Sequence, residues 1–468
     1  MPAVPLKITP ESLALMSKDD QKAALREVAL EQYVRPRPNA FFMTVTRILI
    51  DHLGFPGLPF FARFQFLRRL IPWIAGLRIV KVEVPEKDDA RMRAALDPEN
   101  ACFVAVNHPD FFTDVVVDWH LMSRIAKKIA FWAGYGIVNM PVLRTLWLNH
   151  NLIATTAGGD GKRYSIESAR RGTGVLLHPE GNVFFTNDHI QPIFPGVATM
   201  ALDTAATIAD DGESQRTLIL PMVWKYRFTA DATDGLVREM RFVERRLGLP
   251  SGESLGVGDR FFALMREVLR REEARAGLVS PPLDDAHYFE RSEALLTHLI
   301  ERSEHEVGIA DRVPTPGESL RDRLRHIERA ARFLKTKEPK RYATISARLA
   351  VMHRLEQFSP RFYNSPTLTQ EQMAECMKRL RFDAISGKLT DMLRRWIPFP
   401  VADRIVHVRT GEPVDVTAFV ASHPRNAARV ESVRALVENR MRETLNALLD
   451  EVSPLTAAHA IDNAFARR

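Results

Sequence analysis

Cysteine is nearly missing from this 468-residue chain, which has only Cys102 and Cys376. Two distant cysteines build neither a disulfide framework nor a zinc site, and they fit a reducing compartment. Long apolar runs are also missing. No stretch of about 18 residues is free of charge, so no transmembrane helix is expected. Met1 to Lys18 has neither the basic start nor the apolar run of a secretory signal. Zinc spacings, aromatic RNA-binding motifs and dense basic tracts do not occur, so nucleic acid is not an expected partner. Gly158-Gly159-Asp160-Gly161-Lys162 lacks the Walker spacing and the hydroxyl residue after lysine, and reads as a connection rather than a phosphate cradle. His120, His150 and His189 have no ligand-like spacing, and no metal is expected.

What the chain has is the composition of an ordinary globular protein, 46% hydrophobic and 26% charged, with a net charge of +7. That charge favours anionic surfaces such as lipid headgroups or acidic carrier proteins. Phe41 to Ile79 is rich in Phe, Leu, Ile and Trp, and is interrupted by Arg47, Asp51, Arg63, Arg68, Arg69 and Arg78 and broken by Pro56, Pro59 and Pro72. Arginines among aromatics in short helices suit a segment lying on a membrane face; the plainer alternative is a pair of helices packed on a sheet.

Four regions follow from the pattern: a helical, membrane-surface segment (1–77), an α/β domain (78–250), a helical insertion (251–396), and a last strand with terminal helices (397–468) that return to the α/β domain. Arg78 to Val84 alternates with period two and opens the sheet. From Gly252 to Arg395 the pattern is almost wholly helical, and Arg404 to Arg409 then reads as a strand. A strand needs a sheet to join, which favours an insertion over a separate C-terminal domain. The expected fold is a mostly parallel sheet flanked by helices.

Two apolar strands end in ionisable residues. Val104-Ala105-Val106 runs into Asn107-His108-Pro109-Asp110, with Asp114 further on, and Val175-Leu176-Leu177 runs into His178-Pro179-Glu180-Gly181-Asn182. Ligands in open α/β sheets gather at the carboxyl ends of strands. A histidine accepts a proton well at neutral pH when a carboxylate holds its other ring nitrogen. Asp114 can do this if the chain turns from the strand into a helix; Asp110 is the nearer alternative and could instead cap that helix. No serine or cysteine forms a nucleophile elbow beside His108, so the pair suits activation of a substrate hydroxyl. The bland alternative for such a histidine is a hydrogen-bonded structural role.

Taken in order, these segments resemble the glycerolipid acyltransferase superfamily, whose best-known members are the 1-acylglycerol-3-phosphate acyltransferases. The resemblance covers about residues 100–226. It rests on Asn107, His108 and Asp114, on Ala130 to Gly134 feeding Asn151-Leu152-Ile153, on Pro179-Glu180-Gly181, on Phe194-Pro195-Gly196, and on Leu218 to Val223 with its internal Pro221. A later strand followed by Gly411-Glu412-Pro413-Val414 is similar to the close of that family's catalytic domain. Many relatives have the aspartate where Thr113 stands, and phosphate-handling relatives carry arginines where Ala154-Thr155-Thr156 and Asn182-Val183 stand here. Arg144, Lys162, Arg163, Arg170 and Arg171 could substitute, but read as solvated helix faces.

The resemblance implies transfer of a fatty acyl group from acyl-CoA or acyl carrier protein to a hydroxyl of a lysophospholipid, glycerol-phosphate or similar lipid. His108 would be the general base and Asp114 its orienting partner; Asn107, Glu180, Gly181 and Asn182 would bind substrate. The thioester is a co-substrate and no cofactor is implied. The expected location is the cytoplasm or the cytoplasmic face of a membrane, held peripherally. The rivals are a non-catalytic lipid- or carrier-binding protein with the same fold, and a thioesterase with water as acceptor.

Overall fold

The computed structural model describes residues 33–51, 78–110, 113–122, 125, 129–138, 143–155, 159–181, 183, 185–278, 285–313, 318–381, 400–422, 427–455 and 459–466. These fall into two compact units. One contains the described residues up to Ala230 together with those from 400 to 455; the other contains Asp231 to 381 and 459–466.

Ten strands are present among the described residues: β1 (Ile79–Glu83), β2 (Asn100–Val106), β3 (Ala130–Ala133), β4 (Leu152–Ala154), β5 (Val175–Leu177), β6 (Arg216–Phe228), β7 (Thr367–Thr369), β8 (Arg404–Thr410), β9 (Val414–Asp415) and β10 (Ala460–Asp462). The first unit is α/β. Its sheet runs β1-β8-β6-β2-β5-β3-β4, with β9 beside β6. It is mostly parallel; β8 and β9 are antiparallel to β6, while β8 is parallel to β1. The central strand β2 lies between β5 and β6, and its last residue, Val106, is in register with Met222. Cys102 to Val106 are at most 1% exposed, because a strand covered on both faces is apolar at every position rather than at alternate ones.

Pro221 stands inside the long β6. The main-chain N–H and C=O of a strand residue point to the same side, and the Pro221 carbonyl accepts from Gly411 N at 2.9 Å. Gly411 lies between β8, which ends at Thr410, and β9, which begins at Val414. The missing proline N–H therefore points into the gap between two pairing partners, where no ladder bond is lost.

One face of the sheet, with Ala101, Phe103, Ala105, Ile219 and Val223, packs against helices Asp160–Arg170, Gly196–Asp210 and Ala427–Val452. The helix Thr113–Met122 is buried at every position but Val115, and its Trp119 ring stacks on Phe131 of β3 at 5.2 Å. Neighbouring residues point to opposite faces, and Ala130 belongs to the first face, so this helix covers the other. Of the N-terminal segment, residues 33–51 are described and contain the helix Ala40–Leu49; the arginines and prolines expected between residues 52 and 77 lie outside the described residues.

The second unit is helical. Its aromatic core stacks Tyr288 on Phe465 at 3.9 Å, with Phe289 and Phe358 alongside. Capping boxes at Ser319/Asp322 and Thr369/Gln372 start two of its helices. Two boundaries differ from the sequence reading. The helical unit takes in helix Thr233–Leu247, whose Glu244 carboxylate binds the Arg260 side chain at 2.7 Å, so it starts at Asp231 rather than 251. The last residues also pair with it, Ala460 with Thr369 and Asp462 with Thr367, through a short strand that the helical pattern around it hid.

Candidate active site

The loop after β2 is fixed by side chains that imitate backbone. The Asn107 amide donates to Trp224 O at 3.0 Å and accepts from Trp224 N at 2.9 Å, continuing the β2–β6 ladder after β2 has ended. Asn187 does the same with Tyr226, at 2.6 and 2.9 Å. Glu180 supports the loop from the other side. It is 1% exposed, and its two carboxylate oxygens accept from His108 N at 2.7 Å and Gln191 N at 2.8 Å.

Glu180 reaches those amides because the chain turns tightly behind it. Gly181 has φ +72, a conformation that side chains disfavour, and a Cβ there would stand 2.4 Å from the Phe194 ring. Gly181 N donates to His178 O at 3.0 Å, and Phe194 N to Pro179 O at 2.7 Å, closing the turn.

His108 Nδ1 contacts Asp114 Oδ2 at the start of helix Thr113–Met122. The Asp114 side chain is fully buried, whereas that of His108 is 16% exposed. An anion in the first turn of a helix also meets the positive end of the helix dipole. Asp110 is engaged elsewhere. Its Oδ2 accepts from Thr113 Oγ1 at 2.6 Å and from Arg404 Nη1 at 2.9 Å, and Arg404 Nη2 reaches Thr113 Oγ1 at 3.1 Å. The Arg404 guanidinium lies 4.9 Å over the Tyr226 ring. Of the two aspartates left open by the sequence, Asp114 is the one on His108, and Asp110 anchors the loop to β8.

A second histidine completes the cluster. His178 stacks on His108 with ring centroids 3.9 Å apart and planes within 6°. Its Nδ1 donates to Asn107 O at 3.0 Å, with Val106 O at 3.2 Å. Its Nε2 faces Asp118 at 3.4 Å and Asp114 at 4.0 Å. Burial, and after it the neighbouring His108, push the His178 pKa down to about 3. Burial, and after it the charge of Asp114, hold the Asp118 carboxyl well above the usual carboxylate range.

Donor atoms of His108, Asp114 and His178 lie within 4.8 Å of one another, close enough by distance alone for a shared metal ion. Imidazole binds a metal in its own plane, at about 2.0–2.1 Å for zinc. With the two rings parallel and stacked, an ion between them would lie roughly 2 Å off both planes, nearly a full bond length. The arrangement does not fit a shared ion. His120 and His150 are used locally, on Asp51 and Thr46, each at 2.6 Å.

The structure thus brings Asn107, His108, Asp114, Glu180 and Gly181 together; Asn182 lies outside the described residues. Asn107 and Glu180, expected to bind substrate, spend their polar groups on the backbone of Trp224, His108 and Gln191, and so hold the loop that carries His108. Asp118 and Arg404 were not anticipated, and His178, read as an ionisable residue at a strand end, was given no role. Asp118 follows Asp114 by one helical turn, a spacing that shares a face, and His178 directly precedes Pro179-Glu180. Nothing in the sequence around Arg404 pairs it with Asp110. Comparison with protein-family models and with curated proteins finds no match to this chain.

Proposed function

We propose that this chain is an O-acyltransferase that moves a fatty acyl group from a thioester carrier, acyl-CoA or acyl carrier protein, to a hydroxyl of a lysophospholipid, glycerol-phosphate or similar lipid, as the resemblance to the glycerolipid acyltransferases implies. The observation that carries the reading is the buried Asp114 on His108 Nδ1 at the carboxyl end of the central strand. Asp114 fixes the tautomer and leaves Nε2 to the substrate. Among the described residues, no serine, threonine or cysteine is hydrogen-bonded to His108, which favours direct attack by the acceptor over an acyl-enzyme.

The acceptor O–H gives its proton to His108 Nε2 as its oxygen bonds to the thioester carbonyl carbon. Collapse breaks the C–S bond, and the imidazolium returns the proton to the departing thiolate. Asp114 balances the imidazolium charge. A base so placed contributes typically about 10²–10⁴-fold.

Two further observations bear on the substrate. Four of the side chains considered as phosphate grips are paired on the surface of helix Asp160–Arg170 or just past its end: Lys162 with Asp203, Arg163 with Asp160, Arg170 with Asp211 and Glu213, and Arg171 with Glu167. They favour an acceptor whose phosphate, if it has one, is gripped elsewhere. Helix Ala40–Leu49 exposes Phe41, Phe42, Val45, Ile48 and Leu49, with Phe41 71% exposed and Arg47 on the same helix. No described helix is long and apolar enough to cross a membrane. An exposed apolar stripe beside a cation favours a peripheral location on an anionic bilayer, at the cytoplasmic face or recruited from the cytoplasm.

Incubating purified protein with acyl-labelled acyl-CoA, with and without lysophospholipid, tests the reading. Label in the diacyl product supports it. Label in free fatty acid only makes the protein a thioesterase, and label in neither leaves a binding protein.

A further inference from the structure

The His178–Asp118 pair has no part in that mechanism, yet it lies against His108, with Asp118 fully buried and the His178 side chain 12% exposed. Among the described residues, the groups facing His178 are His108 across the stack, Asp114 and Asp118 on one helix, and the backbone carbonyls of Val106 and Asn107. Both carbonyls are acceptors, so His178 Nδ1 must carry a hydrogen. Nε2 then looks at two carboxyl groups. With both ionised, its lone pair would face two anions. Asp118 is 1% exposed, and both its oxygens are buried with no hydrogen-bond partner in place. An ionised carboxylate in that position is strongly disfavoured. One proton between Asp118 and His178 Nε2 removes both problems.

Resting on the acyltransferase reading for its activity arm, we propose that Asp118 and His178 are positioning residues for His108. They share one proton, and the neutral His178 ring so fixed is the plate that sets the orientation and basicity of the His108 ring stacked on it. A cationic His178 at 3.9 Å would oppose every proton that His108 takes up. A neutral one does not. Asn107 O accepts from Nδ1 of His178, the proton between Asp118 and Nε2 would hold the other nitrogen, and the stack passes the plane so fixed to His108 while Asp114 stays on His108 Nδ1. The direction of both shifts agrees: Asp118 raised by burial and Asp114, His178 lowered by burial and His108.

The test has two arms on the full chain. In the first, long-range ¹H–¹⁵N spectra of histidine-labelled protein follow the ring nitrogens from pH 5.5 to 8.5, with His178→Phe used to assign His178. The expected result is a His178 that stays neutral with its hydrogen on Nδ1 throughout. A His178 that becomes an imidazolium within that range overturns the proposal. In the second, Asp118→Ala should lower transfer more than tenfold and shift the acid limb of the pH–rate profile, and Asp118→Asn, a neutral donor of the same shape, should restore most of the loss. Asn behaving no better than Ala would mean that the charge of Asp118, not its proton, is needed, and would also overturn the proposal. The arms separate the two readings: a neutral, Nδ1-protonated His178 in a chain without transfer activity sinks the acyltransferase reading and leaves the pair standing.

Discussion

Asp110 lies in the loop after β2 and Asp114 in the first turn of the helix Thr113–Met122, and replacing each by asparagine should damage different properties. Asp110 is 1% and Arg404 2% exposed, and they form a direct ion pair at 2.9 Å. Asp110→Asn removes the carboxylate paired with the buried Arg404 guanidinium, and breaking a buried pair costs about 3–5 kcal/mol. Asparagine keeps an oxygen for Thr113 Oγ1, so the lower end, about 3 kcal/mol, is expected. At roughly 2–4 °C per kcal/mol, thermal unfolding should fall by about 6–12 °C. Asp114→Asn instead presents an amide to His108 Nδ1 and favours the wrong tautomer, a change that costs on the order of 10⁴-fold in rate in a histidine–aspartate pair. Measuring kcat/KM for acyl transfer and the unfolding midpoint on both variants gives the comparison. The account requires a crossed result, with Asp114→Asn slow and nearly as stable as the parent, and Asp110→Asn unstable but active at low temperature. A slow, stable Asp110→Asn beside an active Asp114→Asn would refute the pairing.

Three other outcomes follow from named contacts. Glu180→Gln offers an –NH₂ to one of two buried amide donors, and leaving that donor unpaired should cost about 1–3 kcal/mol in denaturant unfolding; a neutral effect would show that the carboxylate does not hold the loop. Liposome co-sedimentation should rise with the anionic lipid fraction and fall with salt, and Phe41→Ser with Phe42→Ser should weaken it; binding indifferent to all three would remove the helix Ala40–Leu49 from any membrane role. A chain truncated after Arg395 loses β8, which stands between β1 and β6, so β6 is left with an open edge from Met222 to Phe228. That protein should be insoluble, and a soluble, active one would show the β8 pairing to be dispensable.

The sequence made some of this legible, and the reasons differ by residue. Cys102 to Val106 and Val175 to Leu177 read as strands because burial on both faces makes every position apolar. The antiparallel β8 was readable as a strand because Ile405, Val406 and Val408 recur after a long helical stretch, but its seat between β1 and β6 was not, since pairing partners so far apart leave no local trace. The same distance hid Arg404, whose partner Asp110 is 294 residues away. Asn107 and Glu180 look in sequence like ligand-binding residues because they flank a histidine and a turn. Only the structure shows that backbone amides and carbonyls take up their polar groups. Asp118 lay in plain view one turn after Asp114, but reads as an ordinary helix-surface aspartate until the helix is seen to be buried on almost every side.

The most direct test of the central claim is the transfer of labelled acyl groups from acyl-CoA to lysophospholipid by the purified chain and by His108→Ala, measured side by side at neutral pH. The account predicts label in the diacyl product with the parent protein, and a loss of about 10²–10⁴-fold in the variant with its circular dichroism unchanged. Transfer by a folded His108→Ala at more than a tenth of the parent rate would contradict it, as would a parent protein that transfers nothing to any lipid hydroxyl.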